Sequence, residues 1–422
     1  MLPRPQPAAA SDIGYAQAPL LAYWEVTQAC DLACRHCRLA AVRGRHPDEL
    51  STDEGFRFIE ALAGCGQPRP WLVLTGGDPL GRRDIYGLVA RADELGLPVG
   101  IALCATPRLT PEALAHLRAR GLRRVTLRLD GSIPTRHDAI RLVQGGFART
   151  VAAARWAREL RLALQIDTLA CEETLEDLPD IYQRVLDMDA DGWCLRFPIG
   201  GRGHRGASSG RDGLGTMPAA ALREFDGYRC EAVLEWLHEL ALEAPRPMID
   251  VADAYHFRRI ALRPQRSAAK QPSPAPGRRT WPAWRAFPAR WRRDGPTVST
   301  GMAARDPGIG VRDGAGMMFV SHTGEVYPSE FLPRSAGNVR THDPVLLYRE
   351  ASLFVQLRDL GQLKGKCGVC EYRAICGGSR ARAWTTTGDL LAQDPLCVYA
   401  PGAAAAAASQ RPAASDRNQG FA

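Results

Sequence analysis

Residues 20–200 alternate between two hydrophobic rhythms. Short apolar runs of strand character are separated by longer stretches whose apolar positions recur three and four apart, the period of a helix. Leu20–Thr27 reads as a first strand. Ser51-Thr52-Asp53-Glu54 opens a helix to Ala63, with Ser as cap and Glu three positions on. Trp71–Thr75 is a second strand, Asp84–Leu95 a helix stopped by Gly96, and Val99–Cys104 a third strand. Thr110-Pro111 starts the next helix, which ends before Gly121. Val125–Leu129, Leu162–Thr168 and Trp193–Pro198 are strands four to six, with helices over Phe147–Leu160 and Thr174–Met188 between them.

Six strand–helix units in succession call for a parallel α/β sheet with right-handed crossovers. The pattern fits an open partial barrel and a doubly wound sheet equally. Alternation along a strand then assigns faces. Val125, Leu127 and Leu129 face the helices, while Thr126, Arg128 and Asp130 face the other way. By the same rule Gln165 and Asp167, then Cys194 and Arg196, point inward. A lumen with arginines on neighbouring strands favours an anionic ligand, so Arg128 and Arg196 are candidate substrate contacts.

Outside this region the rhythm changes. Residues 1–18 read as a disordered lead, 19–203 as the core, and 204–261 as a helical continuation, notably Tyr228–Leu242. Residues 262–310 are Pro-rich, with Trp281, Trp284 and Trp291 among arginines. From Arg258 to Arg293 there are eleven Lys or Arg and no acid, more than the net +8 of the whole chain. The basicity therefore belongs to one segment. No nucleic-acid fold signature accompanies it, so nucleic-acid binding is not expected. Residues 311–400 form a second unit beginning with a hairpin from Met318 to Pro328, and 401–422 read as a disordered tail. No run of 18 apolar residues occurs and no signal peptide opens the chain, which points to a cytoplasmic protein without a membrane span.

The twelve cysteines change the picture most. In a large chain without a secretion signal, grouped cysteines read as metal ligands. Cys30, Cys34 and Cys37 follow the first strand at x3 and x2 spacing. Three thiolates can hold three irons of a [4Fe–4S] cube and leave one iron open; a closed zinc site would need a fourth ligand. Cys367, Cys370, Cys376 and Cys397 form a second set of four, enough to close either a zinc or a [4Fe–4S] site. Cys65, Cys104, Cys171, Cys194 and Cys230 are scattered and read as small buried hydrophobes.

Cys30-x3-Cys34-x2-Cys37 resembles the signature of the radical S-adenosylmethionine (radical SAM) enzymes. Gly76-Gly77-Asp78-Pro79, closing the second strand, is similar to that family's Gly-Gly-Glu-Pro-like motif, with Asp one methylene shorter. The resemblance covers about 20–200 and 311–400. It implies a partial (β/α)6 TIM-like barrel followed by a small α+β cysteine-rich auxiliary-cluster domain of SPASM or Twitch type. It also implies S-adenosylmethionine on the open iron, held by Gly76, Gly77, Asp78 and Pro79, with Asp130, Asp167 and His36 as further cofactor contacts. His36 stands where relatives carry an aromatic residue before the third cysteine.

Where a full SPASM domain would bring further cysteines, this chain has Ser329 and Arg380, so one auxiliary [4Fe–4S] cluster is expected. The run from Cys367 to Trp384, with Asp394-Pro395-Leu396-Cys397, looks like the haem-biosynthesis branch, whose enzymes oxidatively modify propionate or acetate side chains of iron porphyrins. The resemblance thus implies a tetrapyrrole substrate, with a ribosomally made peptide as the alternative, and a reductase such as flavodoxin or ferredoxin. A non-catalytic iron–sulfur carrier is the reading of another class. It has no need of the glycine cradle.

Overall fold

The computed structural model describes residues 15–32, 34, 35, 37, 44–66, 69–200, 222–243, 246–262 and 311–402. A ten-stranded sheet runs through the molecule in the order β10-β9-β8-β1-β2-β3-β4-β5-β6-β7. The first six strands are β1 (Leu21–Thr27), β2 (Trp71–Gly76), β3 (Val99–Ala102), β4 (Arg124–Arg128), β5 (Ala163–Leu169) and β6 (Gly192–Arg196). They pair in parallel in chain order. Between them run α1 (Thr52–Ala63), α2 (Ile85–Glu94), α3 (Pro111–Ala119), α4 (Pro134–Arg141), α5 (Gly146–Glu159) and α6 (Leu178–Asp187). This is the expected partial barrel.

Local signals account for these elements. Ser51 and Glu54 close a capping box on α1. Thr110 accepts from Ala113 N ahead of Pro111, the first residue of α3. The odd positions of β4 and β6, Val125, Leu127, Trp193 and Leu195, are buried in the helix-side core with Trp24, Phe58, Leu88 and Ile166. The even positions, Arg128 and Arg196, remain on the lumen side.

Three differences from expectation matter. First, α4 was not foreseen, because Pro134–Arg141 is mostly polar and shows no apolar stripe. Second, residues 204–261 are not helical throughout. After α7 (Gly227–Glu243) comes β7 (Met248–Ala252), which extends the parallel sheet beside β6, and then α8 (Phe257–Ala261). Ile249 and Val251 are buried while Met248 and Asp250 are exposed, a period-two pattern too short to stand out. Third, the expected hairpin exists as β8 (Met317–Val320) and β9 (Glu325–Tyr327), but β8 also pairs in parallel with β1. Met318 and Val320 therefore join the barrel core.

The short β10 (Gly337–Asn338) completes the sheet, followed by α9 (Pro344–Glu350), α10 (Ser352–Arg358), α11 (Gly365–Gly368) and α12 (Arg380–Thr387). α9 packs on the main core through Leu347 and Tyr348, while α10 and α12 contribute Leu357 and Ala381 to a smaller apolar cluster with Leu332, Leu363 and Leu390. Residues 15–18, expected to belong to a disordered lead, are placed: Tyr15 is buried and its carbonyl accepts from Tyr348 Oη, while residues 1–14 lie outside the described residues. Residues 263–310 and 403–422, the greater part of the basic segment and of the tail, lie outside the described residues. Among the described residues no helix is long and apolar enough to cross a membrane.

Candidate functional site

The carboxyl ends of β1 and β2 are sewn together. Gly77 N donates to Thr27 O at 2.8 Å, and Asp78 N to Ala29 O at 2.7 Å. The approach leaves no room for a side chain: a Cβ at Gly77 would stand 2.3 Å from Ala29 O, and one at Gly76 2.2 Å from Thr27 O. Gly76 also has φ +135°, a conformation that side chains resist. The glycine pair thus lays its backbone directly against the start of the cysteine loop.

One cavity at this end of the barrel is lined by Cys30, Cys34, Cys37, Gly76, Gly77, Arg128, Arg141, Arg196, Asp253 and Glu330, among others. Parallel α/β folds place their sites at the carboxyl ends of strands, and this cavity obeys that rule. The remaining described sequence candidates do not line it, and their side chains are engaged elsewhere; Asp78 lines a separate cavity that shares Cys30. Asp78 is buried; its carboxylate accepts from Thr106 Oγ1 at 2.7 Å and Leu80 N at 3.2 Å, and burial raises its pKa. Pro79 opens the short turn that Asp78 caps. Asp130 accepts from Leu169 N at 2.9 Å and lies 3.6 Å from Arg141. Asp167 accepts from Gln165 Nε2 at 2.8 Å and lies 3.6 Å from Arg196. His36 is outside the described residues.

The two lumen arginines differ. Arg196 is matched by three carboxylates: a direct contact to Glu330, Asp167 at 3.6 Å and Asp253 at 3.9 Å. Arg128 makes no ion pair among the described residues, although it lines the cavity.

Residues 24–185 match the family model described as the radical SAM superfamily. The chain is 33% identical over 395 residues to the AdoMet-dependent heme synthase of Methanosarcina barkeri, covering 92% of this chain and 99% of that one. The chain belongs to the radical SAM superfamily. It is also 28% identical over 395 residues to the PqqA peptide cyclase of Rhodopseudomonas palustris, covering 91% of this chain and 88% of that protein. In fold it is similar to Streptococcus suis SuiB bound to S-adenosylmethionine, with a TM-score of 0.59, 14% identity, and 91% and 78% of the two chains covered.

Radical SAM membership implies an enzyme with a [4Fe–4S] cluster and S-adenosylmethionine. The donor chemistry of the cavity fits both. The thiols of Cys30, Cys34 and Cys37 are soft ligands, and the glycine backbone beside them is bare. Burial pushes the Cys34 thiol up to about 11, so iron binding there would release a proton. Cys30 behaves in the opposite way, because contact with the Cys104 thiol lowers its pKa.

Cys104 is the residue that sequence reading undervalued. It is not simply a buried hydrophobe: it lines the same cavity as Cys30, Cys34 and Cys37, and its Sγ donates to Gly77 O at 2.9 Å. The available signal was its position just past a strand's carboxyl end, level with Gly77 and Asp130. Arg141, on the unforeseen α4, and Asp253, after the unforeseen β7, were missed together with their elements. Of the other scattered cysteines, Cys65, Cys171, Cys194 and Cys230 are all buried.

Cys367, Cys370, Cys376 and Cys397 line a second cavity with His256, Arg259, Lys366, Gly377 and Gly378. Backbone amides already point at these sulfurs. Asp394 N lies 3.4 Å from Cys367 Sγ, and Gly378 N 3.4 Å from Cys376 Sγ. Arg380 is fully buried. It donates to the carbonyls of Gly378, Leu390 and Ala392, and its Nη2 is 3.9 Å from Cys367 Sγ. Ser329 is buried with its hydroxyl unpaired among the described residues. Burial pushes Cys376 up to about 12 and Cys397 up to about 11.

Proposed function

We propose that the chain is a cytoplasmic oxidoreductase that modifies the propionate side chains of an iron porphyrin. Cys30, Cys34 and Cys37 hold the [4Fe–4S] cluster with the open iron. The backbone of Gly76, Gly77, Asp78 and Pro79 receives the methionine end of S-adenosylmethionine, with Asp130, Asp167 and His36 framing the cofactor. Bound and reduced, that pair supplies the 5′-deoxyadenosyl radical that abstracts hydrogen from substrate. Cys367, Cys370, Cys376 and Cys397 hold one auxiliary [4Fe–4S] cluster of SPASM or Twitch type. With no open iron it serves electron transfer, and a flavodoxin- or ferredoxin-like reductase supplies electrons to the chain.

The observation that carries the substrate assignment is Arg128. It is a cation on the cavity wall with no ion pair among the described residues, whereas Arg196 is already matched by three acids. A porphyrin propionate would complete Arg128 as a charge-assisted pair. Similarity over almost the full length of a heme synthase supports the same choice. The similarity to a peptide cyclase keeps a peptide as the alternative substrate.

The test is anaerobic. Reconstituted protein with reductant and S-adenosylmethionine should form 5′-deoxyadenosine, and an iron porphyrin bearing propionates should shift the optical spectrum on binding and change mass on turnover. Arg128→Ala should weaken porphyrin binding by at least about tenfold, roughly 1.4 kcal/mol, while leaving slow uncoupled cofactor cleavage in place. Cofactor cleavage without any porphyrin binding would redirect the assignment to a peptide. No cleavage at all would leave the carrier reading.

A further inference from the structure

The wall of the second cysteine cavity that belongs to the barrel carries a cation with an incomplete set of hydrogen bonds. Arg259 sits on α8, the helix after β7, and is 1% exposed. Its Nη2 donates to both oxygens of Glu231, at 2.6 and 2.5 Å, and its guanidinium stacks over Tyr399 at 4.6 Å. Nε and Nη1 are buried and have no acceptor among the described residues. Idle donors on a buried guanidinium are costly, and such groups are normally satisfied. His256, immediately before α8, adds a second case: it is buried, and its Nδ1 has no partner among the described residues.

Both residues line the same cavity as Cys367, Cys370, Cys376 and Cys397. The Arg259 charge also acts on the thiols of Cys370 and Cys397. The two idle N–H groups of the Arg259 guanidinium, facing a space ringed by four thiols, call for an acceptor in that space, and the sulfur of an iron–sulfur cube is such an acceptor.

We propose that Arg259 donates its Nε–H and Nη1–H to the sulfur of the cluster held by Cys367, Cys370, Cys376 and Cys397, and thereby sets that cluster's reduction potential. The inference rests on the assignment of that cluster above. A cube bound by four thiolates is anionic and gains a further negative charge on reduction. A positive donor on its sulfur therefore stabilises the reduced form more and raises the potential. A raised potential suits a cluster that accepts an electron released from substrate. The residue controlling it comes from the barrel, not from the segment carrying the four cysteines.

The experiment is a potentiometric titration followed by electron paramagnetic resonance on the reconstituted full chain, with iron and sulfide counted first. The variants are Arg259→Met combined with Glu231→Gln, so that no carboxylate is left unpaired, and Arg259→Lys, which keeps the charge and loses the Nε–H. In the double variant the auxiliary cluster should be retained with its potential shifted to more negative values, while the Cys30–Cys37 cluster stays in place. Arg259→Lys should shift the potential in the same direction by less. Unchanged potentials in both variants overturn the proposal. If the double variant loses the cluster, Arg259→Lys decides alone: a negative shift supports the proposal and the parent's potential overturns it. A parent chain that binds only one cluster's iron overturns the underlying cluster assignment, and this inference with it, before any variant is compared.

Discussion

At the scale of single residues, the cavity holds one carboxyl in an unusual state. Asp253 follows β7 with φ +69° and is 6% exposed. Its Oδ2 has no hydrogen-bond partner among the described residues and stands 3.9 Å from Arg196. Burial raises its pKa to about 7; the charges of Arg196 and Arg382 oppose the rise, and those of Glu330 and Asp313 reinforce it. The folded chain therefore keeps a proton that the unfolded chain has released above about 4. Stability from this group is full below that pH and is lost as pH rises to and through 7, by about 4 kcal/mol at most. Asp253→Asn keeps a residue that tolerates the left-handed backbone and removes the titration. The variant should therefore melt higher than the parent at pH 8 and by a clearly smaller margin at pH 5. A melting difference that is the same at both values would refute this origin of the strain. Nothing in the sequence marked Asp253, because its role depends on a strand that five residues could not announce.

At the scale of elements, α12 ties the second cysteine site to the barrel through a single side chain. Arg382 is 2% exposed. It donates to Pro198 O after β6 at 3.0 Å and to Asp253 O after β7 at 3.2 Å, and lies 3.4 Å from Glu224. Arg382→Met should cost about 3 kcal/mol, because it strands two buried carbonyls and a carboxylate. Arg382→Lys should recover less than half of that, since one ammonium cannot span the fork. Thermal unfolding of the three proteins checks both statements, and equal stability of Arg382→Met and the parent would remove the tie. The six βα units were legible because each strand–helix pair carries its own period and cap, as at Ser51 and Thr110. Both cysteine sets were legible from spacing. The partners of these sets were not: Cys104 and Arg259 reach them only through tertiary contacts between segments far apart in the chain.

At the scale of the whole molecule, the hairpin expected to begin a separate unit is part of the barrel's sheet. Leu21–Trp24 of β1 are paired on one side with Trp71–Leu74 and on the other with Met317–Val320. Removing residues 311–422 would turn β1 into a bare edge strand and would take Met318, Val320, Val326 and Tyr348 out of the core that holds Trp24. An exposed hydrophobic edge is a template for association. A chain ending at residue 310 should therefore elute as soluble aggregate or fail to melt cooperatively, in size exclusion and calorimetry respectively. A monomer that melts within a few degrees of the parent would show instead that β8 is dispensable. The distinction bears on the chemistry. If β8 is structurally required, the role proposed for the second cysteine set is better probed by Cys376→Ser with Cys397→Ser than by truncation.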